Sequence, residues 1–338
     1  MKSYDHLLTL LNIPSPSGMT EEAIAFVETE IRALGVPCER TAKGALVAHL
    51  SGRDTNRGIT LSAHIDTLGL MVRAIRENGR LTVVPVGGYS STAIDGETVK
   101  IHAHDKIFTG TVLSDHASVH VYDDTRTREH TFANLEVRID ARTYDRETTE
   151  KLGIRPGDYV SLDTHTTETE EGFIRSRHLD DKACAAILLS LIETLKDEEL
   201  PWNVHFFFSN FEEVGHGSSA GIPEDTITLL ALDMACVGSD LTGSEEEVSI
   251  CALDSSGPYD LTVRKHLTML AEEAKIPYEI DIYPHYGSDA SAALRAGGNF
   301  KTGLIGPGVD ASHAQERTHK NGIEATEKLA LAFIRNPV

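Results

Sequence analysis

The distribution of apolar and polar positions changes texture twice along this chain of 338 residues. Near the start, TEEAIAFVETEIRALG carries Ile24, Val27, Ile31 and Leu34 at the three-and-four spacing of one helical face, and Gly35 supplies a stop. GITLSAHID, from Gly58 to Asp66, then reads as a short apolar strand running into polar residues. From about residue 73 the periodicity shortens. RLTVVPV, ETVKIHAH, KIFTGTVL, SVHVY, LEVRID and DYVSLD are strand-like pieces punctuated by ENG, GG, DG and PGD. Close spacing without long helices predicts a small β-barrel-like unit.

After about residue 168 the first texture returns. DDKACAAILLSLIETL, LTVRKHLTMLAEEAK and GIEATEKLALAFIR predict helices, whereas NVHFFFSN, TITLLALDMA and KTGLIGPG predict buried strands. The simplest arrangement is a three-layer αβα domain with a mostly parallel sheet, formed by residues 1–72 and 168–338, interrupted by an inserted β domain at 73–167.

Composition narrows the possible partners. With 52 acidic against 31 basic residues the net charge is −21. That opposes binding to nucleic acid, which is driven by Lys and Arg neutralising phosphates, and to anionic membrane surfaces. No run approaches the roughly 18 uninterrupted apolar residues of a membrane helix. MKSYDHLLTLLNIPSPSG lacks a small-residue cleavage site, so no signal peptide is read and the expected location is the cytoplasm. Cys38, Cys184, Cys236 and Cys251 are scattered, with no pairing or metal-binding spacing.

The candidate chemistry lies at the ends of the strands. One strand ends at His64 and Asp66, another at Glu212 and Glu213, a third at Asp233, and a fourth leads through GPGVDASH to His313. Open α/β sheets bind ligands outside the carboxyl ends of their strands, so these side chains converge on one edge. His64-x-Asp66 is an ordinary surface pair or a metal ligand with the aspartate holding its tautomer. Asp180-Asp181, before an apolar helix, is an N-cap or a carboxylate bridging two ions. Adjacent carboxylates after an apolar strand are costly unless a cation neutralises one of them. On that reading Glu213 is a ligand and Glu212 the general base. Asp233 ends an otherwise apolar strand and needs a partner. His178, His216, His285 and His319 read as polar loop residues near the same regions.

Taken in order, AHIDTLGLMV, Gly87-Gly88, RIDARTYDRETTEKLGIRPGDYV, HLDDKACAA, FEEVG, ALDMA and GSDAS (Gly287 to Ser291) resemble the M42 metallopeptidases, the glutamyl and deblocking aminopeptidases. The resemblance covers essentially the whole chain. It implies two divalent ions per subunit, zinc or cobalt, one on His64, Asp180 and Asp233, the other on Asp180, Glu213 and His313. It further implies Glu212 as base, Asp66 as the residue orienting His64, and a cis peptide between Asp180 and Asp181. The activity implied is removal of N-terminal residues from a peptide substrate by a homo-oligomer, in the family a large tetrahedral dodecamer.

Two segments depart from the pattern. GHGSSAG follows the paired glutamates in place of a GLRGA-like run, and His313 lies in VDASHAQERTH in place of an RYIHSP-like motif. In the family these segments line the pocket and shape assembly contacts. The alternative is a two-metal amidohydrolase or deacylase acting on a small metabolite, such as the dipeptide amide osmoprotectant associated with a subset of the family. A non-catalytic scaffold would lack a ligand or the base, and here every position is filled.

Overall fold

The computed structural model describes residues 2–338. The chain begins with α1 (Lys2–Leu11) and α2 (Glu21–Ala33), followed by β1 (Cys38–Arg40), β2 (Leu46–Leu50) and β3 (Gly52–His64). A second unit, Thr67–Thr164, contains β4 (Gly69–Ile75), β5 (Leu81–Val86), β6 (Thr98–Ala103), β7 (Lys106–Ser114), β8 (Leu135–Ile139), α3 (Arg146–Lys151) and β9 (Tyr159–Leu162). The first unit resumes at His165 with β10 (Thr167–Glu168), β11 (Phe173–Ser176), α4 (Leu179–Leu195), β12 (Leu200–Ser209), β13 (Thr226–Leu232) and β14 (Ala235–Cys236). It closes with β15 (Val248–Asp254), β16 (Gly257–Pro258), α5 (Leu261–Ala274), β17 (Tyr278–Ile282), α6 (Asp289–Arg295), β18 (Lys301–Val309), β19 (Glu316–His319) and α7 (Lys320–Arg335).

The first unit is an α/β domain on a ten-stranded sheet ordered β1-β2-β12-β3-β13-β18-β15-β16, with β14 beside β18 and β17 beside β15. Its centre is parallel: β12 and β13 flank β3, and β18 lies beside β13. The apolar run in β12 explains why it sits there. Phe206 and Phe208 join the main core, whereas Phe207 turns to the other face and packs with Ala45 and Val47. A strand buried on both faces needs no polar alternation. Each phenylalanine contributes about 1.5–3 kcal/mol by leaving water. Helix α4 is buried nearly all round between α1, α2, α7 and β3. Its apolar run shows no polar face for the same reason.

The second unit is a closed six-stranded barrel, β4-β5-β8-β7-β6-β9, antiparallel throughout. Leu70, Val72, Leu81, Val99, Val137 and Val160 fill it. One expected strand is absent. SVHVY forms turns, with Val119 and Val121 exposed by 54% and 70%. Its alternation has no buried face to serve. The segment is held instead by an ion pair from Arg128 to Asp115 and a hydrogen bond between His116 and Asp124.

Candidate active site

Parallel pairing aligns the ends of the central strands. His64, the last residue of β3, stands opposite Ser209, the last of β12. Beyond β12 the chain turns at Phe211, whose φ is 62°, and presents Glu212 and Glu213. Asp233 follows β13 and donates its main-chain N–H to Ile305 of β18. The two strands approach so closely there that a Cβ on Gly306 would lie 1.6 Å from the Asp233 carbonyl oxygen. The loop after β18 brings in His313, and the start of α4 brings in Asp180 and Asp181, joined by a cis peptide. The structure thus gathers His64, Asp180, Asp181, Glu212, Glu213, Asp233 and His313, all singled out in the sequence.

Asp180 occupies the middle of the cluster. Its Oδ1 lies 3.1 Å from His64 Nε2 and its Oδ2 lies 3.2 Å from His313 Nε2. His64 Nε2 also faces Glu212 at 3.8 Å and Asp233 at 4.0 Å, and His313 Nε2 faces Glu213 at 3.5 Å. Donor atoms of Asp180, Glu213 and His313 all lie within 4.8 Å of one another, as do those of His64, Asp181 and Asp233. Asp181 therefore enters the first group alongside Asp180, with one of its oxygens taken by the His64 main-chain N–H at 3.2 Å.

Asp66 acts differently from the reading of its motif. His64 Nδ1 bonds to the Asp66 main-chain oxygen at 2.8 Å, whereas the nearest Asp66 carboxylate oxygen is 3.7 Å away. The backbone thus sets the tautomer, making Nδ1 the donor and leaving Nε2 for a ligand. The Asp66 carboxylate instead accepts the main-chain N–H groups of Glu212 at 3.1 Å and Glu213 at 3.3 Å, together with the Ser17 hydroxyl.

The charges are severely crowded. Burial pushes the Glu212 and Glu213 carboxyls well above the usual range, and neighbouring carboxylates add to the shift. Burial and the Asp180 charge raise Asp233 to about 8. Burial also acts upward on Asp180, but hydrogen bonds from His313 and His64 outweigh it and hold that group down. For His64, burial acts downward and is overcome by the hydrogen bond to Asp180 and the nearby acids. Glu213 Oε1 and Asp181 Oδ1 are buried with no hydrogen-bond partner.

These features fit divalent cations. Ligand atoms about 2.0–2.2 Å from one tetrahedral ion stand roughly 3.3–3.6 Å apart, close to the spacings of 3.1–4.0 Å observed. Glu212 is set apart by exposure: its side chain is 15% accessible against 3% for Glu213.

Two acids at the site were given no role in the sequence. Glu316 accepts the main-chain N–H groups of Asp180 and His313, each at 3.1 Å. Its position three residues after His313, in a polar run, was the available signal. Asp289, in the quoted GSDAS motif, accepts the Ser218 N–H at 2.9 Å and so ties down the far end of the turn carrying the glutamates. A Cβ on Gly217 would stand 2.1 Å from Asp289 Oδ1, so that turn requires glycine. Of the histidines read as loop residues, His319 caps α7, and His178 is buried just before α4.

A family model described as M42 glutamyl aminopeptidase matches residues 44–329. A Bacillus subtilis (strain 168) chain described as "Putative aminopeptidase YhfE" is 47% identical over 100% of this chain and 98% of its own. The glutamyl aminopeptidase of Lactococcus lactis subsp. cremoris (strain MG1363) is 24% identical over 90% of this chain and 88% of its own. Among solved structures, the Pyrococcus horikoshii TET1 peptidase superposes with a TM-score of 0.89 at 25% identity, covering 99% of both chains.

Proposed function

This chain belongs to the M42 glutamyl aminopeptidase family, and from that premise we propose that it is a dinuclear aminopeptidase with Glu212 as its general base. Peptidase activity of the M42 type is what the family and its named relatives have in common. The observation that carries the finer reading is Asp180, whose two oxygens each face a histidine of a different group at 3.1 and 3.2 Å. His64, Asp180 and Asp233 would hold one ion, and Asp180, Glu213 and His313 the other. Zinc or cobalt suits a mixed imidazole and carboxylate donor set. When bound, such a pair supplies Lewis-acid activation of water and of the scissile carbonyl.

The protein's own part is positioning and proton transfer. Glu212 faces His64 at 3.8 Å and has a side chain 15% accessible, against 3% for Glu213 and 6% for Asp233, so it can take the proton from water as the water oxygen attacks the carbonyl carbon. The same carboxyl then gives that proton to the departing amine, which restores the base. Asp66 keeps Glu212 over the site through the main chain, and Asp289 holds the turn from its other end. The structural relative TET1 can assemble into a tetrahedron or a large octahedral shell. On that basis this chain is read as a homo-oligomer, which light scattering after size exclusion will check.

The test is a panel of aminoacyl-p-nitroanilides and short peptides, assayed after chelation and again after addition of zinc, cobalt or manganese. Activity that returns with metal and is absent in Glu212→Gln supports the proposal and gives the side-chain preference. Full metal loading with no cleavage of any peptide would sink it in favour of an amidohydrolase acting on a small metabolite.

A further inference from the structure

We propose that Glu316 is the positioning residue of the second metal group: by accepting the main-chain N–H groups of both Asp180 and His313, its carboxylate fixes these two ligands at the separation one ion needs. The proposal rests on the dinuclear reading above.

Three observations carry it. The first is the bonding itself, since Glu316 Oε2 accepts from Asp180 N and Oε1 from His313 N, both at 3.1 Å. Both oxygens are thus engaged, each by a residue that supplies a ligand. The second is the path of the chain. β19 pairs antiparallel with β11, and Glu316 stands opposite Ser176. β11 leads into α4 and Asp180 four residues later, while His313 lies three residues before Glu316. The small sheet therefore draws two ligand-bearing segments together at one point, and Glu316 sits on that point. The third is burial: Glu316 is 2% accessible, so its carboxylate is committed to these donors and not to solvent.

The first group shares Asp180 but not His313, and its other two ligands are held elsewhere, since His64 N bonds to Asp181 and Asp233 N to the β18 backbone. Loss of Glu316 should therefore act on one ion more than on the other. Glutamine is the informative replacement. It fills the same volume but offers one oxygen and one amide NH₂, so only one of the two N–H groups keeps an acceptor.

The experiment is titration of the metal-free protein with cobalt(II), reading stoichiometry and the visible absorption of the bound ion, with a melting curve for every variant. The unsubstituted chain should bind two ions. Glu316→Gln should keep the first and lose roughly 10–100-fold in affinity for the second, the usual cost of removing a partner that orients a ligand. Thr318→Val, in the same strand as Glu316, breaks a buried hydrogen bond to Gly308 of β18 without touching a ligand-bearing residue, and should keep both ions. Should Glu316→Gln fail to fold, Glu316→Asp is read in its place. It retains the charge but is one methylene short of spanning both N–H groups, and should also weaken the second ion. Two ions bound with unchanged affinity and spectrum in the Glu316 variants would overturn the proposal and leave the dinuclear reading intact. So would loss of the second ion in Thr318→Val, which would trace the effect to the strand. Fewer than two ions in the unsubstituted chain would overturn both.

Discussion

The carboxylate of Asp66 accepts the main-chain N–H of Glu212 at 3.1 Å. A residue two places after His64 thereby holds the proposed base, 146 positions further along the chain. Asp66→Ala removes this acceptor and the one for Glu213, but leaves the main-chain oxygen that orients His64. Turnover should fall by roughly 10–100-fold, the range for lost supporting partners, with both ions still bound. Steady-state assays beside metal analysis would check this. Loss of metal together with activity would mean that the carboxylate supports the ligands and not the base.

The adjacent glutamates should separate cleanly. Glu212→Gln keeps the shape of the side chain and removes its proton affinity, so kcat should drop by about 10²–10⁴, the usual contribution of a general base. Metal content should not change. Glu213→Gln withdraws a ligand, and one ion per chain should be lost. The opposite pattern, metal loss from Glu212→Gln alone, would exchange the two roles.

Much of this arrangement was legible because the residues involved break a pattern. Glu212 and Glu213 follow three consecutive phenylalanines, and Asp233 follows TLLAL. An acid at the end of a doubly buried strand has few explanations besides a ligand. What stayed hidden depends on the main chain. Glu316 lies in the polar run AQERTH, and its partners are two N–H groups that only the pairing of β11 with β19 brings together. The role of Asp66 shifted from ring to turn because the His64 ring is served by a carbonyl, and every residue has one. SVHVY misled for the reverse reason: its alternation is real, but nothing covers either face.

Lys182 provides a test of stability away from the chemistry. Its ammonium is wholly buried and donates to the Leu10 oxygen at 2.8 Å and to the Ile13 oxygen, tying the end of α1 to α4. Lys182→Met keeps the length of the side chain and takes this donor from the Ile13 oxygen, while the Leu10 oxygen keeps the Ile13 N–H. Unpaired buried polar groups cost about 1–3 kcal/mol. The midpoint of urea unfolding should fall accordingly, and an unchanged or higher midpoint would show that desolvation of the amine already cancels its hydrogen bonds.

Metal removal should invert the dependence of stability on pH. Without cations, burial and neighbouring charge raise Asp233 to about 8, and burial with the Asp180 charge does the same for Glu316. Unfolded, such groups titrate near 4. Between about 4 and 8 the folded form therefore holds protons that the unfolded form has released. Stability then rises as the pH falls through this window and is lost as the pH climbs to 8. His64, raised in the fold, acts in the same direction, and Asp180, held low, changes its protonation below the window. The loaded protein should behave oppositely, because its ligands bind cations as carboxylates and neutral imidazoles, and acid competes for them. Melting curves of chelated and metal-loaded protein from pH 5 to pH 8 should therefore slope in opposite directions. Parallel slopes would mean that the carboxylates of the ligand cluster do not hold the ions.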